Sequence, residues 1–354
     1  MKINHNFYLN LAFNIAENHL GKTKSNPSVG CIVVKNDTVI SSGITSINGR
    51  PHAEYNALNK KINFGGSRMY VTLEPCSHYG KTPPCINIIK KKNIKNVYFN
   101  FNDPDKRSYK KAKKKLKLKN ISLKQIKTDK NSFYKSYFLN KKNEIPLVDA
   151  KIALSKDNYT INKKSKWITN FRSRKVGHLL RSKYDSILST SKSINKDNSM
   201  LNCRIEGLNN NKPDLIIIDR ELKLKKNLSL IKFAKIRKTY ILTTSKNKRK
   251  IFFFKKRNFK IINLKKLKER KDFINFFNKI YKLGVRRLLV ESGLTFLNQL
   301  LKYKFINDLY VFQSNKKLNS NGYNKTNINF KIKKSNQMVK VNLNDEKLFK
   351  IKAN

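Results

Sequence analysis

The stretches HAEYNAL (residues 52–58) and LEPCSHYGKTPPC (residues 73–85) hold one histidine and two of the four cysteines of this 354-residue chain. One histidine and two cysteines provide the nitrogen and sulfur donors that zinc prefers. Each cysteine follows a proline, and we expect each to stand at a helix start, where the helix dipole favours a thiolate. The sequence therefore predicts a metal centre on His52, Cys76 and Cys85.

Glu54 stands two residues after His52, close enough to reach a water on the metal without being a ligand. Catalytic zinc keeps three protein ligands and an open position, whereas structural zinc takes four protein ligands. Zinc lowers the pKa of a bound water towards ~7, and a carboxylate can then carry protons to a leaving amine. A His-x-Glu followed by a Pro-Cys pair is the layout of zinc deaminases. We therefore predict hydrolytic deamination, with Glu54 as the catalytic residue.

Strand and helix patterns alternate along the chain in two halves. Apolar spacing predicts a helix over residues 4–20, and a lysine-rich helix is expected over 105–118. Pro146 opens a new strand, PLVDAKIALS, after which the alternation starts again. We therefore expect an α/β protein with two domains, residues 1–145 and 146–354.

The formal net charge of +57 raises nucleic acid as a partner. The excess is mostly lysine, and asparagine and isoleucine are also abundant throughout, a combination that we interpret as coding bias. A nucleic-acid surface would concentrate arginine, lysine and aromatic residues on one segment. No stretch reaches the ~20 apolar residues of a membrane span, and four cysteines do not make a disulfide framework. We therefore expect a phosphorylated small molecule as the substrate, and neither nucleic acid nor a membrane as a partner. We also expect a cytoplasmic location and allow for a homo-oligomer.

The spacing of the two cysteines narrows the class of deaminase. Nucleoside, cytosine and transfer-RNA adenosine deaminases mostly hold them in a C-x-x-C, whereas here the eight residues SHYGKTPP separate Cys76 from Cys85. The segment VTLEPCSHYGKTPPC, together with NPSVGCIVV (26–34) and PHAE (51–54), resembles the bifunctional deaminase/reductase family of riboflavin biosynthesis. The resemblance extends, more weakly, over nearly the whole chain.

The resemblance implies two activities on two folds. The first domain resembles cytidine deaminases, with a mixed sheet, helices and Zn²⁺, and would deaminate 2,5-diamino-6-(5-phosphoribosylamino)pyrimidin-4-one. The second resembles dihydrofolate reductase, an α/β domain, and would use NADPH to reduce the ribosyl side chain to ribityl. The substrate-binding residues implied for the first domain are Asn26, His78 and Lys81.

Two segments of the second half, KWIT (166–169) and LLVESGLT (288–295), match the same family. In the latter, a buried strand ends at Glu291 and leads into a helix whose first backbone amides can hold a cofactor phosphate. The implied substrate contacts are Ser165, Arg181, Leu201, Arg204 and Glu291. The implied cofactor contacts are Leu154, Trp167, Ser193, Asp197, Arg220, Gly293, Leu294 and Thr295.

The second half also departs from the family pattern. Asn158 stands in place of a glycine, Asn198 in place of an aspartate, Leu294 in place of a proline, and Arg220 in place of a small polar residue. Asparagine still tolerates a positive φ, and an extra arginine suits a 2′-phosphate. Two alternatives stay open, namely a deaminase with a degenerate reductase domain and a transfer-RNA-type zinc deaminase. A nucleic-acid-binding protein with a structural zinc is disfavoured, because only three protein ligands are found.

Overall fold

The computed structural model describes residues 4–130, 132–208, 213–264, 266–326 and 338–353. Contacts divide the chain into two compact units, Met1–Glu144 and Ile145–Asn354. Each unit has its own sheet and its own hydrophobic core. Within the described residues, no helix combines the length and the apolar composition needed to cross a membrane.

A five-stranded sheet in the order β2-β1-β3-β4-β5 forms the centre of the first unit. Strand β1 is antiparallel to β2 and β3, whereas β3, β4 and β5 are parallel, so that the sheet is mixed. The strands are β1 (Gly30–Lys35), β2 (Thr38–Ile44), β3 (Arg68–Leu73), β4 (Asn96–Phe101) and β5 (Ser122–Gln125). The helices are α1 (His5–Glu17), α2 (Ala53–Leu58), α3 (Cys85–Lys91), α4 (Ala112–Lys117) and α5 (Lys135–Asn143).

Strand β1 is apolar on both faces because helices cover both sides of the sheet. Side chains alternate between the faces of a strand, and Cys31 and Val33 join the core cluster that also contains residues of α2 and α3. Ile32 and Val34 point the other way and pack with residues of α1. Helix α2 approaches β2 so closely that a Cβ built on Gly43 would lie 2.3 Å from a backbone oxygen of the helix. This glycine therefore sets the position of the helix that carries Glu54.

The second unit contains an eight-stranded sheet in the order β11-β10-β9-β8-β12-β6-β13-β15. Its strands are parallel except β15, which is antiparallel to β13. The strands are β6 (Leu147–Leu154), β8 (Ser186–Thr190), β9 (Asp214–Ile218), β10 (Thr239–Thr243), β11 (Phe259–Asn263), β12 (Arg287–Val290), β13 (Asp308–Gln313) and β15 (Lys347–Lys352), and β7 (Tyr159–Asn162) pairs with β14 (Gly322–Lys325) in a separate ribbon. The helices are α6 (Phe171–Arg181), α7 (Ser191–Asp197), α8 (Leu230–Phe233), α9 (Lys248–Lys255), α10 (Arg270–Lys282) and α11 (Leu294–Lys302).

The parallel strands of the second unit end at one edge, which is where open α/β sheets bind their ligands. Leu215 and Ile217 of β9 belong to one core cluster and Ile216 and Ile218 to the other, so both faces of the sheet are covered. Glu291 directly follows β12 and helix α7 directly follows β8. The α/β class and the two fold types expected from the sequence are confirmed.

Two local expectations were wrong. The helix expected over residues 105–118 is reduced to Ala112–Lys117, and Cys76 lies in the irregular segment 74–84 rather than at a helix start. The cause in the first case is the buried carboxylate of Glu74, which accepts hydrogen bonds from three backbone amides between residues 103 and 112. This segment therefore wraps around a carboxylate. It makes one helical hydrogen bond, from the amide of Tyr109 to the carbonyl of Asp105, before the positive φ of Lys110 interrupts the turn.

Candidate active sites

Three side chains of the first unit form a metal-ligand cluster: His52, Cys76 and Cys85. Their donor atoms all lie within 4.8 Å of one another. His52 Nδ1 is 3.4 Å from Cys85 Sγ and 3.7 Å from Cys76 Sγ. His52 precedes α2, Cys85 is the first residue of α3, and Cys76 lies in the loop after β3. One imidazole nitrogen and two sulfurs within this distance fit a tetrahedral zinc ion with one position left open.

One cysteine of this cluster, Cys76, has a lowered pKa and so favours the thiolate that a metal requires. The pKa of Cys76 is lowered to about 4, because its sulfur accepts hydrogen bonds from the Cys85 thiol, from His52 and from the Cys85 backbone amide. The amide nitrogen lies 3.2 Å from the sulfur. Since a bound dication favours the thiolate, Cys85 would also ligate a metal as a thiolate.

Glu54 lies in the first turn of α2 and is only 4% exposed. Burial, and then the charge of Cys76, raises its pKa to about 7. A carboxyl group with such a pKa can accept and release a proton near neutral pH. Glu54 is therefore a buried acid–base group beside the metal-ligand cluster.

Asn26 and Arg50 lie on the other side of the His52 ring. Asn26 Nδ2 donates to the carbonyl of Gly49 at 2.7 Å and is 3.5 Å from His52 Nε2. Arg50 Nη1 is 3.3 Å from the same ring nitrogen and donates to Thr82 Oγ1 at 2.8 Å. Of these residues, the sequence analysis had singled out Asn26 but neither Arg50 nor Thr82.

His78 and Lys81 lie in the loop that joins the two cysteines. His78 Nδ1 is 2.7 Å from the hydroxyl of the buried Ser108, while Lys81 is exposed. Ser108 belongs to the segment that wraps around Glu74. A buried carboxylate thus supports, through a serine, one of the predicted substrate-binding side chains.

Glu291 and Arg181 form a largely buried ion pair in the second unit, with 10% and 15% of their side-chain surfaces exposed. Arg181 Nε and Nη2 donate to the two oxygens of Glu291 at 2.6 and 2.9 Å, and Lys151 Nζ from β6 lies 3.9 Å from the same carboxylate. Although burial opposes ionisation, the charge and hydrogen bonds of Arg181 lower the pKa of Glu291 to about 2. Burial lowers the pKa of Lys151, while Glu291 opposes this shift.

Arg204 reaches the same region through His178, which the sequence analysis did not single out. Arg204 Nη2 lies 3.2 Å from His178 Nε2, and Arg204 Nη1 donates to Asn202 Oδ1 at 3.0 Å. Arg181 Nη1 donates to the carbonyl of Asn202 at 3.1 Å. Burial, and then the charges of Arg181 and Arg204, lowers the pKa of His178 to about 4. Two arginines thus converge beside a histidine that stays neutral.

A buried arginine, Arg237, fixes the backbone of the segment before Arg204 by hydrogen bonding. Arg237 is 7% exposed and donates through Nη1 to the carbonyl of Leu201 at 2.6 Å. Leu201 is itself buried and adopts a positive φ of +47°. Leu201 therefore has a defined backbone position, while its side chain packs in the core.

Among the predicted cofactor contacts, Ser193 and Gly293 lie together. Ser193 Oγ accepts a hydrogen bond from the backbone amide of Gly293 at 2.9 Å, at the start of α11. The side chains of Leu154 and Leu294 pack in the core, so that only their backbone atoms can face a cofactor. Thr295 is exposed.

The remaining predicted contacts are at the surface of the second unit. Trp167 is 50% exposed, with the guanidinium of Arg174 4.5 Å from its ring centre. Ser165 Oγ accepts a hydrogen bond from the backbone N–H of Trp167, with 3.2 Å between oxygen and nitrogen. Asp197 and Arg220 are exposed. Asn158 and Asn198, at the two positions where asparagine replaces another residue, both adopt a positive φ.

Comparison with known proteins assigns both halves of the chain. Residues 146–321 match the model of the RibD C-terminal domain, and residues 2–101 match the cytidine and deoxycytidylate deaminase zinc-binding region. The riboflavin biosynthesis protein RibD of Aquifex aeolicus is 31% identical over 310 residues, which is 86% of this chain and 85% of that protein. RibD of Buchnera aphidicola is 31% identical over 319 residues, 86% of each chain.

Solved structures share the fold over almost the full length. The diaminohydroxyphosphoribosylaminopyrimidine deaminase/5-amino-6-(5-phosphoribosylamino)uracil reductase of Thermotoga maritima has a TM-score of 0.81 at 24% identity, with 99% of each chain covered. RibD of Acinetobacter baumannii has a TM-score of 0.82 at 22% identity, with 98% of each chain covered. The two family models and the curated relatives span both halves of the chain, and they favour neither alternative that the sequence left open. The chain therefore belongs to the RibD family and is a bifunctional enzyme of riboflavin biosynthesis, with a zinc-dependent deaminase domain and an NADPH-dependent reductase domain.

Proposed function

We propose that the first unit removes the amino group of 2,5-diamino-6-(5-phosphoribosylamino)pyrimidin-4-one, and that the second unit then reduces the ribosyl side chain of the product to ribityl. The observation that carries this proposal is the cluster of His52, Cys76 and Cys85 with the buried Glu54 beside it. We place the deaminase in residues 1–145 and the reductase in residues 146–354.

In the proposed deamination, His52, Cys76 and Cys85 would hold zinc and Glu54 moves protons. When bound, zinc would supply a Lewis acid that lowers the pKa of water towards ~7. Glu54 accepts the proton of the attacking water and returns it to the departing amine, so that water and the aminopyrimidine give ammonia and a carbonyl. The buried position of this carboxyl group supports the role, because its raised pKa lets it act in both directions.

Asn26, His78 and Lys81 are the proposed substrate contacts of the deaminase. The amide of Asn26 lies beside the ring of a metal ligand, where the edge of a pyrimidine would be held. His78 keeps Nε2 free for the sugar phosphate, because Ser108 occupies the vicinity of Nδ1. The exposed ammonium of Lys81, in the same loop, suits a phosphate.

In the proposed reduction, the second unit binds the sugar phosphate and holds a proton. Arg204 provides a fork for a phosphate. Arg181, whose Nε and Nη2 pair with Glu291, adds positive charge beside it, and Ser165, Leu201 and Glu291 complete the proposed substrate contacts. NADPH supplies the hydride. The reaction also consumes a proton, and the largely buried Lys151 beside Glu291 can hold one.

The proposed cofactor contacts line the edge at which the strands end. Ser193 accepts a hydrogen bond from the amide of Gly293 and so fixes the start of α11, where the backbone amides that follow would bind a phosphate. Trp167 offers an exposed ring for the nicotinamide. Leu154, Asp197, Arg220, Leu294 and Thr295 are the remaining proposed cofactor contacts.

A Glu54→Gln variant tests the deaminase half of the proposal. We expect zinc content to stay at the wild-type value and ammonia release to fall about 10²- to 10⁴-fold, the usual contribution of a positioned proton carrier. The exposed Glu17, changed to glutamine, is the matched control. Loss of zinc in the Glu54 variant would make this residue a ligand and refute the mechanism.

The reductase half is tested with the deaminated intermediate and NADPH. NADPH absorbance should fall with wild type and with Glu54→Gln at the same rate, because Glu54 belongs to the first unit. If ammonia is released by wild type while NADPH is not consumed, the second unit has lost its activity and the bifunctional proposal fails.

Because both cysteine ligands must stay out of disulfides, as all four cysteines do here, we also place the enzyme in a reducing compartment, the cytoplasm.

A further inference from the structure

Arg50 lies beside the metal ligand His52 and beside the loop that carries His78 and Lys81. Its Nη1 donates to Thr82 Oγ1 at 2.8 Å. A Cβ built on Gly80 would lie 3.9 Å from Arg50 Nη2 and 3.9 Å from His78 Nε2. The guanidinium and the imidazole therefore flank the same glycine of this loop.

No carboxylate neutralises Arg50 among the residues that the structure describes. Two other arginines of the first unit do have such partners, Arg68 with Asp37 and Arg107 with Asp105. Arg50 is half-buried, so its charge is partly removed from water without a counter-ion. Such a cation in a functional site is the expected partner of an anionic ligand, and the planar guanidinium matches a phosphate.

The contacts of Arg50 with neighbouring side chains are made through Nη1. This nitrogen lies 3.3 Å from His52 Nε2 and donates to Thr82 Oγ1. A guanidinium carries five N–H donors, so the N–H groups of Nη2, on the side of Gly80 and His78, remain available for a ligand.

From these contacts we infer that Arg50 is a further substrate-binding residue of the deaminase, where it binds the phosphate of the phosphoribosyl group together with His78 and Lys81. This inference rests on the proposed function, since it requires a sugar phosphate at the zinc site. Three cationic or hydrogen-bonding side chains from one loop and its neighbour then surround the phosphate. Arg50 thereby contributes to the discrimination between phosphorylated and unphosphorylated substrates.

The competing role for Arg50 is structural, as a link between residue 50 and Thr82. A comparison of two substrates separates the two roles. Ammonia release is measured for wild type, Arg50→Met and Arg50→Lys, with the phosphoribosyl substrate and with the same compound lacking its phosphate. The matched control is Arg68→Met, because Arg68 pairs with Asp37 on the surface hairpin.

We expect Arg50→Met to lower kcat/KM for the phosphorylated substrate about 10- to 100-fold, the range for a lost charge-assisted hydrogen bond. Activity towards the unphosphorylated compound should stay within about twofold of wild type, since that compound makes no contact that the variant removes. For the phosphorylated substrate, the kcat/KM of Arg50→Lys should lie between those of wild type and Arg50→Met, because lysine keeps the positive charge but lacks the two parallel N–H donors of a guanidinium. An equal loss with both substrates, or a loss of zinc, would overturn the inference in favour of the structural role.

Binding of ribose 5-phosphate to the zinc-loaded enzyme gives a readout that does not depend on turnover. Calorimetry should show weaker binding to Arg50→Met than to wild type or to Arg68→Met. To remove any contribution of the second unit, each protein carries Arg204→Gln as a background substitution. Equal affinities would refute the role of Arg50. If wild type releases no ammonia from either substrate, the proposed function fails, and this binding measurement still decides the role of Arg50.

Discussion

Replacing Glu74 by alanine is expected to destabilise the deaminase unit and to loosen His78. The Glu74 carboxylate accepts the backbone amides of Asp103 at 3.3 Å, Lys110 at 3.0 Å and Ala112 at 3.3 Å. The segment between these residues carries the serine that contacts His78. Removal of the carboxylate therefore affects both the stability of the unit and a proposed substrate contact.

The size of the effect follows from the burial of the three amides. The hydrogen bonds of Asp103 and Ala112 are buried, whereas that of Lys110 is partly exposed. A buried donor left without a partner costs ~1–3 kcal/mol. Counting only the two buried amides, we expect Glu74→Ala to lower the free energy of unfolding by roughly 2–6 kcal/mol. Glu74→Gln keeps one oxygen and should lose less.

Two probes separate the two units in a urea titration of the full chain. Trp167 is the only tryptophan of the sequence and belongs to the second unit, so its fluorescence reports the unfolding of that unit. Release of zinc to a chromogenic chelator reports the first unit. We expect Glu74→Ala to lower the urea midpoint of zinc release and to leave the fluorescence midpoint unchanged. Asp129→Ala, which removes an exposed carboxylate of the first unit, is the control.

The same variant should raise KM for the phosphorylated substrate, because His78 loses its support. Reduction of the deaminated intermediate should be unaffected. A zinc-release midpoint equal to that of Asp129→Ala would show that the three amides find other acceptors. In that case the assignment of Glu74 as the support of this segment would be wrong.

Gly43→Ala should displace α2, because the added Cβ would lie 2.3 Å from the backbone of that helix. We expect the free energy of unfolding to fall by about 1–3 kcal/mol and ammonia release to be slower. Wild-type activity of this variant would contradict the close packing of α2 on β2. The folded pKa of His178, about 4, lies below its ordinary value of 6.5, so the unfolded chain binds more protons between these values, and this contribution to stability is lost as pH falls through that window. His178→Asn should therefore show a smaller fall in urea midpoint than wild type between pH 7 and 4.5, measured by Trp167 fluorescence. If the midpoint of the variant falls with pH as much as that of wild type, the lowered pKa of His178 is refuted. Glu291→Gln leaves the largely buried charge of Arg181 without its partner, and we expect a loss of up to about 3 kcal/mol, the lower end of the range for fully buried pairs, with at least tenfold slower NADPH oxidation. An unchanged melting temperature would argue against the pair.

Several features of the fold were predictable because they depend on local patterns. The strand expected in PLVDAKIALS and the alternation of strands and helices identify an α/β protein, since each pattern reflects the side of the sheet that a residue faces. The helix expected over residues 105–118 failed for a non-local reason. A carboxylate some thirty residues earlier captures the amides of this segment, and no periodicity within the segment records that competition.

The metal-ligand cluster was predictable for a different reason. Zinc restricts its ligands to few residue types, so His52, Cys76, Cys85 and Glu54 stand out from a lysine-rich background even though their relative positions are unknown. The reductase residues could be named only through a family resemblance. Nothing in their spacing indicates that Arg181 and Glu291, 110 residues apart, form a bidentate pair.

The sequence by itself determined the chemical class of the protein, because metal ligands and a proton carrier must be particular residue types in a particular order. Only the tertiary structure identified Arg50, Ser108 and Lys151. Arginine, serine and lysine are common, and each gains its meaning here from a neighbour that is distant in sequence: the His78 loop for the first two and Glu291 for the third. An electrostatic or hydrogen-bonding role depends on distance and burial, and both quantities exist only once the chain has folded.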